Sequence, residues 1–400
     1  MSELVISSGY SDADFAGPNF VNVKPDWDKL NRRVEQIESV VFGQPEASYA
    51  VASATLRVEA GIHSPNRPEF VGIFIGQPGS GKTEMGRATA QAYWGDDWES
   101  HYRRISCSDF QSPHEITRIT GSTPGYRSFG DPNAILFDEE FLGTRNVIVF
   151  DEIEKAHRQL PRVLLDVLDH ARLTVAIGTP TDDGGVKDVR KVPLNFTHSS
   201  IIFTANIGNE QITKARAGEG RLGFTTTQER ETDVKGVGLR ALREHFADIP
   251  EFLDRIPSQN RIVFEALTPD VMRRIFSKFL AELDPALTVT EELTDWVIGR
   301  LKPNEGARHL QGTMERDLMN TLALVRIGLP LGVPVVAGLS KEDGGMNPYF
   351  KVNAAFLHSQ AHRSDNDGTR QTAVIPDSTS RSLLVVPTGV DDIPPAFLMS

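Results

Sequence analysis

Val71-Gly72-Ile73-Phe74-Ile75-Gly76-Gln77-Pro78-Gly79-Ser80-Gly81-Lys82-Thr83 is the stretch that decides the fold. A short apolar run is followed by a glycine-rich turn and then by a helix-forming segment that ends near Trp94-Gly95. That order of strand, loop and helix is what a phosphate-binding P-loop requires. Glycines let successive backbone N–H groups turn inward around a triphosphate, and the helix adds its positive N-terminal end. Lys82 is placed to reach the β- and γ-phosphates, and Thr83 to put a hydroxyl on Mg²⁺. Residues 76–83 (Gly76, Gln77, Pro78, Gly79, Ser80, Gly81, Lys82 and Thr83) therefore predict a nucleoside triphosphate site.

The chain of 400 residues is long enough for two or three domains and a sizeable core. With 39% hydrophobic and 24% charged residues its composition is that of a globular protein. The formal net charge of −12 argues against a chain that lives on nucleic acid or an anionic membrane. Cys107 is the single cysteine, which excludes an intrachain disulfide and a thiolate metal site and fits a reducing compartment. The N-terminus lacks a basic segment followed by an apolar one, and no segment approaches about 18 uninterrupted apolar residues. Cytoplasmic localisation without membrane association is the expectation.

From Trp27 to about Ile62 apolar positions recur at helical spacing (Val34, Ile37 and Val41, then Val51, Ala54, Leu56 and Val58). Beyond the P-loop, short apolar runs at Tyr102–Cys107, Asn146–Phe150 and Ser200–Ala205 alternate with helical segments, as in a parallel, doubly wound sheet. After Leu267 the pattern becomes helix after helix, over 269–283, 290–301 and 306–327, with Thr268-Pro269-Asp270 as a helix start. From Gly344 onward the chain is rich in Ser, Asp, Asn, Thr and Pro and reads as a mostly mobile tail, with apolar patches at Leu383–Val386 and Phe397–Met399.

Val147-Ile148-Val149-Phe150-Asp151-Glu152 is a buried-strand pattern that ends in two carboxylates. At the C-terminal edge of a parallel sheet, Asp151 lies beside the P-loop, where it can hold Mg²⁺. Glu152 points differently and can polarise an attacking water. Together they predict hydrolysis and not binding alone.

Asp151-Glu152-Ile153-Glu154-Lys155-Ala156-His157 resembles the Asp-Glu-Ile-Glu-Lys-Ala-His stretch of the Clp-type AAA+ unfoldases, in their second nucleotide-binding module. Leu164-Leu165-Asp166-Val167-Leu168-Asp169 with Arg172-Leu173-Thr174, Gly43-Gln44 after Val41, and Gly306-Ala307-Arg308 resemble further motifs of that family, from about Val40 to about residue 330. The resemblance implies an α/β fold: a P-loop αβα sandwich on a parallel five-stranded sheet, followed by a small helical lid domain. It divides the chain into 1–67 (leader and N-terminal helices), 68–266 (large ATPase domain), 267–340 (helical lid) and 341–400 (a partly disordered tail).

The same resemblance implies a homo-oligomeric ring, usually of six, with ATP between the two domains and against the next subunit. Val41, Phe42 and Gly43 then form the adenine-site turn. Asn206 senses the γ-phosphate, Arg308 couples lid position to nucleotide state, and Arg255 is a finger sent into the neighbour's site. Asp254 and Pro257 stand where the family usually has Asn and Asp. Gly121-Ser122-Thr123-Pro124-Gly125-Tyr126-Arg127-Ser128-Phe129-Gly130 resembles the axial pore loop, with Tyr126 and Phe129 as its aromatics. A flat ring between glycines can grip any extended polypeptide without reading its sequence. Leu222-Gly223-Phe224 matches in type and rough position the tripeptide through which family members dock a Clp-type peptidase.

The leading expectation is thus an ATP- and Mg²⁺-dependent protein unfoldase that threads polypeptide substrates. A nucleotide-switched assembly or remodelling factor that does not thread is the alternative. A monomeric P-loop kinase has no need of Asn206, Arg255 and Arg308 together, and a DNA-remodelling role has no basic stripe behind it.

Overall fold

The computed structural model describes residues 24–121, 135–180, 186–217, 227–302, 305–327, 329, 332–342 and 345–352. Two helices open it, α1 (Trp27–Glu38) and α2 (Pro45–Glu59), followed by β1 (Phe70–Ile75), α3 (Lys82–Trp94), β2 (Tyr102–Ser106), α4 (Thr117–Thr120), α5 (Glu139–Gly143), β3 (Asn146–Asp151) and α6 (Gln159–His170). Next come β4 (Arg172–Pro180), β5 (Val186–Asn195), β6 (Ser199–Ala205), α7 (Asn209–Ala217), α8 (Thr227–His245), α9 (Pro250–Asp254) and β7 (Arg261–Val263). The remainder is α10 (Pro269–Leu283), β8 (Leu287–Val289), α11 (Glu291–Gly299), α12 (Ala307–Met314), α13 (Asn320–Ile327), β9 (Val335–Glu342) and β10 (Gly345–Val352).

The central sheet has five strands in the order β2-β3-β6-β1-β7, all parallel. Every residue of β1, β3 and β6 is buried, because helices cover both faces. Their near-continuous apolar sequences are what such burial requires. One core, with Ile73, Phe150, Phe203, Leu164 and Phe252, fills the face toward α6 and α9. The other, with Phe74, Val149, Met85, Val51 and Ile37, fills the face toward α1, α2 and α3. This layered architecture is the αβα sandwich expected from the sequence. Since all strands run the same way, the C-terminal ends of β1, β6 and β3 lie side by side at one sheet edge, with β6 in the middle. Ile75, Ala205 and Asp151 therefore deliver the residues that follow them to one place.

Two features were not legible. An antiparallel hairpin, β4 with β5, extends from the end of α6 and carries an irregularity between Ile177 and Thr179. The lid around α10–α13 also contains a three-stranded sheet, β10-β9-β8, whose inner residues Val335, Ala337 and Phe350 join Phe276, Leu293 and Leu310 in a third core. This corrects the boundary placed after residue 340. β9 crosses it and pairs with β10 from Gly345↔Glu342 to Val352↔Val335, so the lid continues to Val352. Composition misled there because only alternate residues of β9 face the core: Val335 and Ala337 are buried while Val336 is exposed. Among the described residues no helix is long and apolar enough to cross a membrane.

Candidate functional site

The glycine-rich turn leaves β1 at Gly76, whose N–H donates to Ala205 O on β6 (3.2 Å). Gly79 and Gly81 take positive φ values of 75° and 100°, which only glycine adopts without strain, and Gly81 caps the start of α3. Ser80 Oγ donates to Gln77 O (2.9 Å), and Gln77 Nε2 donates to Thr213 Oγ1 on α7 (2.9 Å). The buried Lys82 ammonium donates to Gly76 O and Gln77 O, each at 2.7 Å. Burial pushes its pKa down to about 8, since the charged form loses hydration that the carbonyls only partly replace.

Gln44 tightens this loop from the other side. Its side-chain amide donates to Ser80 O (3.2 Å) and Glu265 O (3.1 Å) and accepts from Glu265 N (2.8 Å). The sequence drew attention to the turn that holds Gln44, but nothing local distinguished this residue as a clamp between the loop and the segment after β7.

Across the sheet edge, Asp151 Oδ1 accepts from Thr83 Oγ1 (2.7 Å) and Thr204 Oγ1 (2.5 Å). Its other oxygen, Oδ2, accepts from Arg104 Nε (2.9 Å) and Nη2 (2.5 Å). Burial raises the Asp151 pKa, and the bonds from Thr204, Thr83 and Arg104 outweigh it, holding the carboxyl below its ordinary value. Thr204 had a signal, a polar residue at the end of an apolar strand. Arg104 had none, because its partner lies on the neighbouring strand.

Glu152 has φ 60°, a left-handed conformation rare for a residue with a side chain and characteristic of functional turns. The turn is fixed by its N–H, which donates to Thr204 Oγ1 (2.9 Å). The carboxylate of Glu152 accepts from Asn206 Nδ2 at 2.8 Å and from Lys155 Nζ at 2.6 Å. Glu154 Oε1 accepts the Asn206 backbone N–H (3.1 Å), so the polar residue after β6 is held at both its main chain and its side chain. Burial raises the Glu154 pKa, and the charge of Glu152 adds to it.

The lid closes the site from above. Ala307 N donates to Gly79 O (3.0 Å), and a Cβ at Gly306 would stand 2.7 Å from Gly79 C, Gly79 O and Pro78 O. Only glycine permits this approach of α12 to the loop. Gly306→Val is therefore expected to cost about 1–3 kcal/mol of stability by overpacking, read as a lower urea midpoint at unchanged slope. An unaltered midpoint would show that the lid does not rest on the loop in solution.

Between lid and sheet lies a cavity of about 880 Å³. Lys82, Thr83, Asp151, Glu152, Asn206 and Arg308 all line it, as do Val41 and Phe42. Phe42 has the Arg274 guanidinium 4.6 Å from its ring centroid, and Gly43 turns at φ 72° against Val271. Arg255 is not among the lining residues. Its guanidinium donates to Asp169 Oδ2 (2.5 Å) and Glu251 O (2.8 Å), with Arg67 3.7 Å from the other Asp169 oxygen. Tyr126, Phe129 and Leu222-Gly223-Phe224 lie outside the described residues.

The donor set fits a Mg²⁺–phosphate ligand. Among the described residues no cluster of three or more His, Cys, Asp or Glu is placed to hold a metal, so this is not an all-protein cage. One hydroxyl paired with one carboxylate, beside a loop built for phosphate, is the arrangement Mg²⁺ uses when phosphate oxygens and water complete its shell.

The AAA domain (Cdc48 subfamily) profile matches residues 67–259. The chain is 32% identical over 314 residues to the chaperone protein ClpB of Lactococcus lactis subsp. lactis (strain IL1403), covering 76% of this chain and 33% of that one. It is 33% identical over 312 residues to the ATP-dependent Clp protease ATP-binding subunit ClpA homolog of Porphyra purpurea, covering 75% of this chain and 35% of that one. It is 35% identical over 304 residues to ClpB of Rhodopseudomonas palustris (strain ATCC BAA-98 / CGA009), covering 74% and 31%. The chain thus spans about a third of the length of the curated relatives it matches. A closed-state reconstruction of Hsp104 with ATPγS and FITC casein shares the fold, with a TM-score of 0.62 at 23% identity, over 82% of this chain and 52% of that one. With a glycine-rich nucleotide loop, paired carboxylates at the sheet edge and a lid over both, the chain belongs to the Clp-type AAA+ ATPase family.

Proposed function

We propose that this chain is one subunit of a ring, of six copies, that hydrolyses ATP to remodel or unfold polypeptides threaded through a central pore in the cytoplasm. The observation that carries the reading is the Glu152 carboxylate bonded to Asn206 Nδ2 at 2.8 Å, at the ends of adjacent strands and in the same cavity as Lys82 and the Thr83–Asp151 pair. A base and a polar orienting group in the same cavity as the P-loop support this reading.

In this mechanism Lys82 transfers its ammonium from the loop carbonyls to the β- and γ-phosphate oxygens. Thr83 and Asp151 would hold Mg²⁺, which when bound would neutralise charge on the transferring phosphate. Glu152 accepts the proton of the attacking water while the Asn206 amide keeps the carboxylate aimed. Arg308 reports nucleotide state to the lid. Arg255, held by Asp169 away from this cavity, serves the neighbour's site, where such a finger is worth roughly 10³–10⁵ in rate in other phosphoryl-transfer systems. The names of the relatives, a chaperone and a protease ATP-binding subunit, support a polypeptide substrate. Leu222-Gly223-Phe224 is the segment through which a Clp-type peptidase docks if the ring feeds one.

The test is Tyr126→Ala. ATP turnover is expected to stay within about twofold of wild type, since Tyr126 belongs to none of the motifs read as holding nucleotide, while unfolding of a tagged fluorescent substrate falls at least tenfold, about 1.4 kcal/mol of lost coupling. Unfolding at the wild-type rate would remove threading and favour a switch that remodels without pulling.

A further inference from the structure

The turn Val41-Phe42-Gly43 faces α10 of the lid across the cavity, and on the lid side the lining residues include Leu267, Ile275, Lys278 and Phe279. An aromatic base fits such walls, but Lys278 interrupts them. Its side chain, 22% exposed, has Glu282 Oε1 4.0 Å away and crosses to donate to Val40 O at 3.1 Å. The ammonium stands 5.8 Å from the Phe42 ring centroid. The Val41 N–H is also engaged, donating to Ile37 O at 2.9 Å. The polar groups beside the turn thus include the partly used Val40 carbonyl and the remaining N–H groups of Lys278, with the Glu282 carboxylate behind the lysine.

Lysine only donates. A 6-aminopurine presents a donor at position 6 and must find an acceptor there, for which the second lone pair of Val40 O remains. A 6-oxopurine presents an acceptor at O6 beside the acceptor N7, the pair that a lysine or arginine reads in guanine generally. We infer that Lys278 is a base-selecting residue that opens this slot to 6-oxopurine nucleoside triphosphates alongside ATP. The inference rests on the reading of the P-loop cavity as a nucleotide site.

The experiment measures dissociation constants for ATP, ITP and GTP in the full chain, by competition against a fluorescent ATP analogue, for wild type, Lys278→Met and Lys278→Arg. Methionine keeps the packing of the aliphatic stem, and arginine keeps the donors. Wild type is expected to bind ITP within about tenfold of ATP. Lys278→Met is expected to raise the ITP-to-ATP ratio at least about tenfold, with GTP following ITP, the size of one good contact to a base edge. Lys278→Arg is expected to hold the ratio within about threefold of wild type. A ratio that Lys278→Met leaves unchanged, or a wild-type ratio above about 10³, overturns the inference and leaves the nucleotide site standing. Failure of the wild type to bind any triphosphate removes the nucleotide reading itself.

Discussion

Glu152→Gln is expected to lower ATP turnover by about 10²–10⁴-fold, the usual worth of a positioned general base, while nucleotide binding persists. The amide matches the carboxylate in shape and its carbonyl oxygen can still accept from Asn206 Nδ2, so the bond that orients residue 152 survives. What disappears is the capacity to take a proton from water. The Lys155 ion pair is lost as well, but it lies near the surface, where such pairs contribute little. Steady-state turnover and the retention of labelled ATP on the purified variant check both halves. Normal hydrolysis would take Glu152 out of the mechanism.

Lys82→Ala is expected to weaken ATP binding by roughly 30-fold to several thousand-fold, because truncating one member of a buried charged pair costs about 2–5 kcal/mol. Lys82 is buried at the base of the loop, with its ammonium already directed at two loop carbonyls. Of the other cations that line the cavity, Arg308 reaches it from the lid and Arg104 is bonded to Asp151. Calorimetric titration with ATP in excess Mg²⁺ measures the loss, and a thermal melt shows that the variant is folded. Wild-type affinity in a folded variant would overturn the P-loop assignment.

What the sequence disclosed and what it hid follow from the range of the interactions involved. β1, β3 and β6 announced themselves because strands buried on both faces are written as apolar runs, followed by the glycine turn from Gly76 or, at Asp151 and Asn206, by a polar residue that lines the cavity. Helices α10–α13 were legible from their period and from Thr268-Pro269 at the start of α10. The β4–β5 hairpin was hidden because its buried alternation is short, limited to Leu173, Val175, Val192 and Leu194 at its base, while β5 begins with the charged run Lys187-Asp188-Val189-Arg190-Lys191. Arg104, Glu154 and Lys278 were hidden for a different reason. Each acts on a group from another segment (Asp151, the Asn206 N–H and Val40 O), 47, 52 and 238 residues away in sequence. Pairings of that kind appear only once the fold has brought the partners together.

Arg255 is bonded to Asp169 and does not line its own cavity, and we propose that it completes the site of a second copy of the chain. The most direct test is the solution mass of the Glu152→Gln variant by light scattering, with and without ATP·Mg²⁺. An ATP-dependent shift to a particle of six chains is the expected result. A variant that binds ATP yet remains a single chain would rule out a shared site, leaving Arg255 with no neighbouring phosphate to act on.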